Sequence, residues 1–167
     1  ITSARACDPA ELANVYSVDS CGRAFRVDEA CEAEQHCDEG LCARGPPPTP
    51  CDGAVDAAPG RLEGNLMGAG ALQPSCSEDV GAEHILRFQA PQAGDWIFDA
   101  SGSAFDSILH VRTVCADAGS ELACDDDSAG ALQARLELAL EQGDEVYVIL
   151  DSHGRAGDWV LEISRSE

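Results

Sequence analysis

The sequence contains no lysine. Its ten basic residues are all arginines, set against 31 acidic residues, and the formal net charge is −21 over 167 residues. A chain with this charge repels phosphate backbones, which argues against nucleic-acid binding. Two interpretations of the acidity remain open, a solvated acidic surface and a site for a divalent cation.

The chain also lacks long apolar runs. No stretch of about 18 apolar residues is present, so no membrane span is predicted. The sequence starts at Ile1 without a basic and then apolar leader, and we expect a processed piece of a longer secreted precursor. Its nine cysteines include no C-x-x-C pair, which argues against a zinc site and favours structural disulfides in an oxidising, extracellular compartment.

Catalytic motifs are missing as well. There is neither a G-x-S-x-G nor an H-E-x-x-H pattern, and the neighbours Asp151, Ser152 and His153 do not by themselves make a catalytic triad. We therefore predict that the protein is not an enzyme. Aromatic residues make up only 5% of the chain, so we expect Trp96 and Trp159 in the core rather than on a sugar-binding face.

Composition divides the chain into three parts. Residues 1–44 hold five of the nine cysteines and few apolar residues, which predicts a small module held together by disulfides. Residues 45–50 read Gly-Pro-Pro-Pro-Thr-Pro, which is typical of a semi-rigid polyproline II linker. Residues 51–167 carry alternating apolar runs and glycine-rich turns, which predict a β-sheet domain.

Alternation with period two predicts the strands of this domain. In GDWIFDAS (94–101) and GDWVLEIS (157–164), the tryptophan and every second residue after it share one apolar face. EHILRFQA (83–90) alternates in the same way. The run DEVYVIL (144–150) is apolar on both faces, which indicates a central strand.

The run Leu132–Leu140 gives conflicting signals. Its residues are good helix formers, yet its leucines alternate strictly with polar or small residues. A helix would spread those leucines around most of its surface. Because burial overrides weak local preference, we predict a strand, with Leu136 facing the core and Glu137 facing solvent.

Several segments occur in an order that resembles the bacterial pre-peptidase C-terminal domain. They are AGDWIFDASGSAFDSILHVRT, CADAGSELACDDDSAG and LQARLELALEQGDEVYVILDSHGRAGDWVLEIS. The strongest parts are Phe105-Asp106-Ser107 and Leu122-Ala123-Cys124-Asp125-Asp126, and the resemblance covers about residues 51–164. It implies an all-β, jelly-roll-like antiparallel β-sandwich outside the cell, generally non-catalytic and usually beside a secreted hydrolase. Some relatives bind calcium and an extracellular polymer.

The front segment YSVDSCGRAFRVDEACEAEQHCDEGLC is similar to short cysteine-rich modules of secreted bacterial proteins. This similarity consists of cysteine spacing. It implies a disulfide framework ahead of the β-sandwich.

Cysteine spacing also suggests which residues bond. Cys115 and Cys124 flank a short turn and are predicted to pair with each other. Cys51 and Cys76 both belong to the second part and are predicted to form a second disulfide. In the front module, where the sequence leaves other arrangements open, we expect Cys21–Cys37 and Cys31–Cys42, with Cys7 unpaired or bonded to another chain.

The candidate metal site consists of Asp106 and the run Asp125-Asp126-Asp127. Adjacent carboxylates repel one another unless solvent or a cation screens them, and Ca²⁺ takes oxygen ligands from irregular loops of this kind. Aspartates also form turns through their own backbone bonds. A calcium site and turn-forming carboxylates therefore both remain open, and no other cofactor is predicted.

These features predict a secreted, non-catalytic accessory or binding module, which calcium would stabilise if the acidic cluster is a calcium site. Its partner would be an extracellular polymer, a cell surface or a partner enzyme. Two alternatives remain open. One is a self-associating structural subunit of an extracellular surface layer or filament, and the other is a secreted hydrolase inhibitor.

Overall fold

The structure is a computed structural model of the 167-residue chain. In the first 48 residues it describes five strands by their backbone, and from Thr49 onward it describes all residues except 79–80, 131, 155–156 and 167. The chain divides into two compact units, Ile1–Thr49 and Pro50–Glu167. This division falls inside the proline-rich segment that the sequence marks as a linker.

The first unit is built from short antiparallel strands. Its three-stranded sheet has the order β1-β2-β3, and β4 and β5 form a separate hairpin. The strands are β1 (Ala4–Asp8), β2 (Glu11–Val18), β3 (Ala24–Ala30), β4 (Gln35–Asp38) and β5 (Leu41–Arg44). The predicted pairs Cys21–Cys37 and Cys31–Cys42, and the leftover Cys7, fall on side chains outside the described residues.

The second unit is an all-β sandwich, as the sequence predicted. A five-stranded sheet has the order β11-β10-β13-β8-β6, and a four-stranded sheet has the order β12-β9-β14-β7. Every pairing is antiparallel except that of β6 with β8, which is parallel. The strands are β6 (Val55–Ala57), β7 (Gly60–Asn65), β8 (Glu83–Gln89), β9 (Gly94–Asp99), β10 (Ser107–Arg112), β11 (Glu121–Asp125), β12 (Arg135–Leu140), β13 (Glu145–Ser152) and β14 (Asp158–Arg165).

The core lies between these two sheets, and the period-two alternation determines which side chains enter it. Trp96 and Phe98 of β9 face inward and pack edge-on against Phe88 of β8, with ring centroids 5.0 and 5.4 Å away. Trp159 of β14 is also buried. The strand β13 lies in the middle of its sheet, which confirms the prediction made from its two apolar faces.

The contested run is a strand, but a shorter one than predicted. The strand β12 begins at Arg135, and Leu132 lies before it with 49% of its surface exposed. The residues just before Arg135 form hydrogen bonds to the first residue of β10. The Ser107 amide donates to the Leu132 carbonyl, and the Ala134 amide donates to Ser107 Oγ. Leu136 is buried, as predicted, and Glu137 is exposed.

The disulfide pairing predicted for this unit is wrong. The four cysteines are all bonded, but the bonds are Cys51–Cys115 and Cys76–Cys124, not Cys115–Cys124 and Cys51–Cys76. The register of β10 and β11 explains the difference. Cys124 stands opposite His110, whereas Cys115 lies in the connection beyond the last paired residues of this hairpin. A short turn in sequence therefore does not bring these two cysteines to the same level.

An irregular segment, residues 72–77, covers the outer face of the five-stranded sheet, and we call it the strap. Cys76 of the strap is bonded to Cys124 of β11. The guanidinium of Arg112 is buried beneath it and donates to the carbonyls of Gln73 and Cys115. With the strap on one side and the core on the other, all six residues of β10 are buried.

His110 lies buried beside Arg112 and Glu121. Its Nδ1 is 3.3 Å from Glu121 Oε2, but without hydrogen-bond geometry, and Arg112 Nη2 is 3.7 Å from the same oxygen. Burial, reinforced by the neighbouring Arg112 charge, lowers the pKa of His110 to about 4, although Glu121 acts in the opposite direction. The imidazole is therefore neutral at physiological pH.

The lowered pKa of His110 predicts acid sensitivity. Between pH 6.5 and about 4 the unfolded chain holds this proton and the folded chain does not, so stability falls as the pH falls through that window. The loss approaches about 3 kcal/mol at the acid end. The measurement is the free energy of unfolding at several pH values for the wild type and His110→Leu. The variant should lose less stability over this window, and parallel profiles would contradict the assignment.

Among the described residues, no helix has the length and apolar character needed to cross a bilayer.

Candidate calcium site

The candidate site lies at one end of the five-stranded sheet, where three neighbouring strands begin or end. Asp106 immediately precedes β10, while Asp126 and Asp127 immediately follow β11. His153 follows β13, and its amide donates to the Asp106 carbonyl at 2.8 Å. Because β10 is antiparallel to both neighbours, these three connections meet at the same end of the sheet.

Three carboxylates converge in these connections. Asp106, Asp126 and Asp127 each offer one oxygen, and the three oxygens lie within 4.8 Å of one another. Asp106 Oδ1 is buried without a hydrogen-bond partner among the described residues. Burying a carboxylate oxygen without a partner costs free energy. This atom therefore favours a ligand that is a cation or a hydrogen-bond donor.

Burial and like-charge repulsion both favour the protonated form of Asp126 in this cluster. Burial, followed by the Asp127 and Asp106 carboxylates, raises the pKa of Asp126 above its ordinary value. His153 acts in the opposite direction and Asp125 adds to the rise. The three converging carboxylates thus destabilise one another when all are ionised, and a bound cation would remove that penalty.

Asp125, the fourth predicted ligand, has a different role. Its Oδ2 accepts hydrogen bonds from the Ser128 amide at 3.1 Å, from Ser128 Oγ at 2.8 Å and from the Arg135 amide at 2.8 Å. These bonds close the turn between β11 and β12. The turn-forming interpretation therefore applies to Asp125, whereas Asp126 and Asp127 converge with Asp106.

The donor set suits calcium better than a softer metal. Three carboxylates supply hard oxygen ligands, and Ca²⁺ completes its shell with carbonyls and water in flexible loops. Such an ion would tie the connection that precedes β10 to the one that follows β11. The expected consequence is stability and rigidity at this end of the sandwich.

In the run Asp151-Ser152-His153, the side chains of Asp151 and Ser152 form structural hydrogen bonds. Ser152 Oγ accepts from the Ala82 amide at 3.0 Å and lies 3.2 Å from the Ala82 carbonyl, to which it donates. Asp151 Oδ1 accepts from the amides of Gly81 and Ser152. Gly81 is required for this approach, since a Cβ there would lie 1.8 Å from the Ser152 carbonyl oxygen. Both Asp151 and Ser152 are fully buried, which leaves the hydroxyl poorly placed to attack a substrate.

Comparison with known proteins gives a structural likeness. No protein-family model matches the chain, and no curated protein matches it at a significant level. The crystal structure of the pre-peptidase C-terminal domain of collagenase from Bacillus anthracis is similar, with a TM-score of 0.47 and 12% sequence identity. The match covers 66% of this chain and 94% of that one. It is a domain of the type that the motifs between residues 51 and 164 resemble.

Proposed function

We propose that this chain is a non-catalytic, extracellular accessory module whose sandwich unit binds calcium through Asp106, Asp126 and Asp127. The observation that carries the calcium site is the convergence of the three carboxylate oxygens within 4.8 Å, with Asp106 Oδ1 buried and unpartnered among the described residues. The module would attach an associated protein to an extracellular partner.

Two further observations support an extracellular, non-catalytic role. The bonds Cys51–Cys115 and Cys76–Cys124 suit an oxidising compartment, since reducing cytosol rarely preserves structural disulfides. The serine and aspartate of the Asp-Ser-His run use their side chains to hold Gly81 and Ala82. Free calcium is abundant outside cells, where weak sites of the extracellular class are filled.

Calcium is expected to raise the melting temperature of the protein, and a chelator to lower it. An ion that binds only the folded state stabilises it by about 2.7 kcal/mol at 100 times its dissociation constant, or roughly 10 °C for a domain of this size. Magnesium should substitute poorly because it demands a tight octahedral shell. The measurement is a thermal melt of the full chain in chelator and across a calcium titration.

Three variants make this test specific. Asp126→Asn should shrink the calcium-dependent shift, while stability in chelator stays the same or rises because repulsion is removed. Asp95→Asn is the matched control, an exposed aspartate of β9 outside the cluster, and should keep the full shift. Asp125→Ala should cost about 2 kcal/mol with and without calcium, because it loses turn hydrogen bonds. A melt indifferent to calcium and chelator would reject the site.

A further inference from the structure

A groove of about 350 Å³ opens along one lateral edge of the sandwich. The edge strands β6 and β7 end their respective sheets on this side. Buried Leu86 and Trp159 lie at its base, with Val55 and Leu62 beside them. Polar side chains complete the lining, namely Asp56, Glu63, Asn65 and His84.

The indole of Trp159 in this groove is largely covered by neighbouring residues. The backbone of Gly64 lies against the indole so closely that a Cβ there would be 2.8 Å from Trp159 Nε1. The His84 ring packs on the indole with centroids 4.8 Å apart and a tilt of 31°. Sugar-binding sites usually offer an open aromatic face, so this arrangement argues against a saccharide as the occupant.

The strand β7 presents an open hydrogen-bonding edge. It pairs with β14 in an unbroken register over six residues, and within the described chain it has no strand on its other side. Alternate amides and carbonyls of such an edge point outward and can accept one more strand. An extended polypeptide fits both this edge and the apolar groove beside it.

The charge of the chain indicates what kind of polypeptide would bind in the groove. The chain carries a net charge of −21, which sets a negative field around the groove, although the lining carboxylates Asp56 and Glu63 are each paired with an arginine. A second copy of this chain would bring the same negative charge, which disfavours edge-to-edge self-association. A cationic segment is attracted by the same field.

We propose that this groove docks an extended, cationic polypeptide segment of a partner protein, which adds as a strand to β7 and inserts an apolar side chain above Leu86 and Trp159. This inference rests on the proposed accessory function and names the class of its partner. Alternating basic and apolar residues satisfy the geometry, because one face of the added strand points into the groove and the other into solvent.

The test uses the full chain and a synthetic, end-blocked octapeptide of alternating lysine and valine. Val55→Arg places a repelling charge in the groove at a site that is already 50% exposed, so folding should be preserved. It should weaken binding by at least about tenfold. Val114→Arg is the matched control, a valine with 56% exposure in the β10–β11 connection, outside the groove lining, and should bind within about twofold of wild type.

Peptide variants test the strand pairing and the charge. An otherwise identical peptide with alternate amides N-methylated should lose binding, because it cannot pair along one edge. A glutamate-valine peptide should bind at least about tenfold more weakly than the lysine-valine peptide. Equal binding of either analogue, equal weakening by the two valine variants, or a dimer that Val55→Arg dissolves would each overturn the inference.

Co-sedimentation with insoluble polysaccharide and protein fibres separates this inference from the proposed function. If the chain binds such a polymer and Val55→Arg binds it equally well, the accessory role stands and the groove assignment falls. If neither polymer nor peptide is bound, the attachment function fails together with the groove. If fibre protein is bound and Val55→Arg releases it, both are supported.

Discussion

Replacing Leu136 with aspartate is expected to unfold the sandwich unit, whereas Glu137→Arg on the same strand should change its stability by no more than about 0.5 kcal/mol. Leu136 is 7% exposed and stands opposite Phe98 in the register of β12 and β9. Its replacement removes core packing and buries a carboxylate, which together cost about 4 kcal/mol or more. Domains of this size are stable by only about 5–15 kcal/mol.

Urea unfolding followed by tryptophan fluorescence measures the effect, since Trp96 and Trp159 are both buried. The arginine variant also relieves some negative charge at an exposed site. Equal destabilisation by the two substitutions would mean that the facing assigned to Leu136 and Glu137 is wrong. Helix formation in this run would produce that result, because it would bury parts of both faces.

Removing the bond between Cys51 and Cys115 is expected to have the second largest effect. It closes a loop with a sequence separation of 64, and a loop of this length restricts the unfolded chain by about 4 kcal/mol. The pair Cys76–Cys124, with a separation of 48, should contribute nearly as much. The double variants, each with both partners changed to alanine, can be compared with wild type by urea unfolding.

Free thiols distinguish this pairing from the one that spacing suggested. With the observed bonds, changing Cys115 and Cys124 together to alanine breaks both bridges and adds two free thiols to the full chain. With a Cys115–Cys124 bond, the same variant would add none. Thiol titration under denaturing, non-reducing conditions gives the count, and a value equal to wild type would refute the observed bonds.

The strands of the second unit were predictable because each one has one or two apolar faces. Burial on alternating faces leaves a period of two in the sequence, and β9, β12, β13 and β14 follow it. The same signal overrode helix propensity in β12. It could not mark where β12 begins, since Leu132 continues the alternation although it is exposed.

The disulfides were not predictable in the same way because they depend on which strands are neighbours. Cys51 precedes β6, and the strap lies against the outer face of β10 and β11, so the positions of both bonds depend on the order of the strands. Spacing in sequence carries no information on that order. Acidic density marked Asp106 and Asp125–Asp127 as one candidate site, but it could not separate Asp125, which bonds Ser128 and Arg135, from the three aspartates whose oxygens converge.

Two other features left no clear pattern in the sequence. In the sequence, Arg112 resembles any arginine at the end of a strand, and its burial follows from the position of the strap above it. The groove lies where the chain passes from β6, which ends at Ala57 in one sheet, to β7, which begins at Gly60 in the other. Its lining residues come from four separate strands. Glycine at position 64 was the one local hint, because a strand interior tolerates glycine where another group approaches closely.

The bond between Cys51 and Cys115 has a mechanical consequence. A mechanical force applied to the chain ahead of Cys51 passes across the disulfide to Cys115, just beyond the end of β10. It therefore bypasses β6, a three-residue strand at the edge of its sheet. Strands β6 to β10 lie inside the covalent loop and cannot be drawn out by such a force. Within the sandwich unit, such a pull can lengthen only the part of the chain after Cys115.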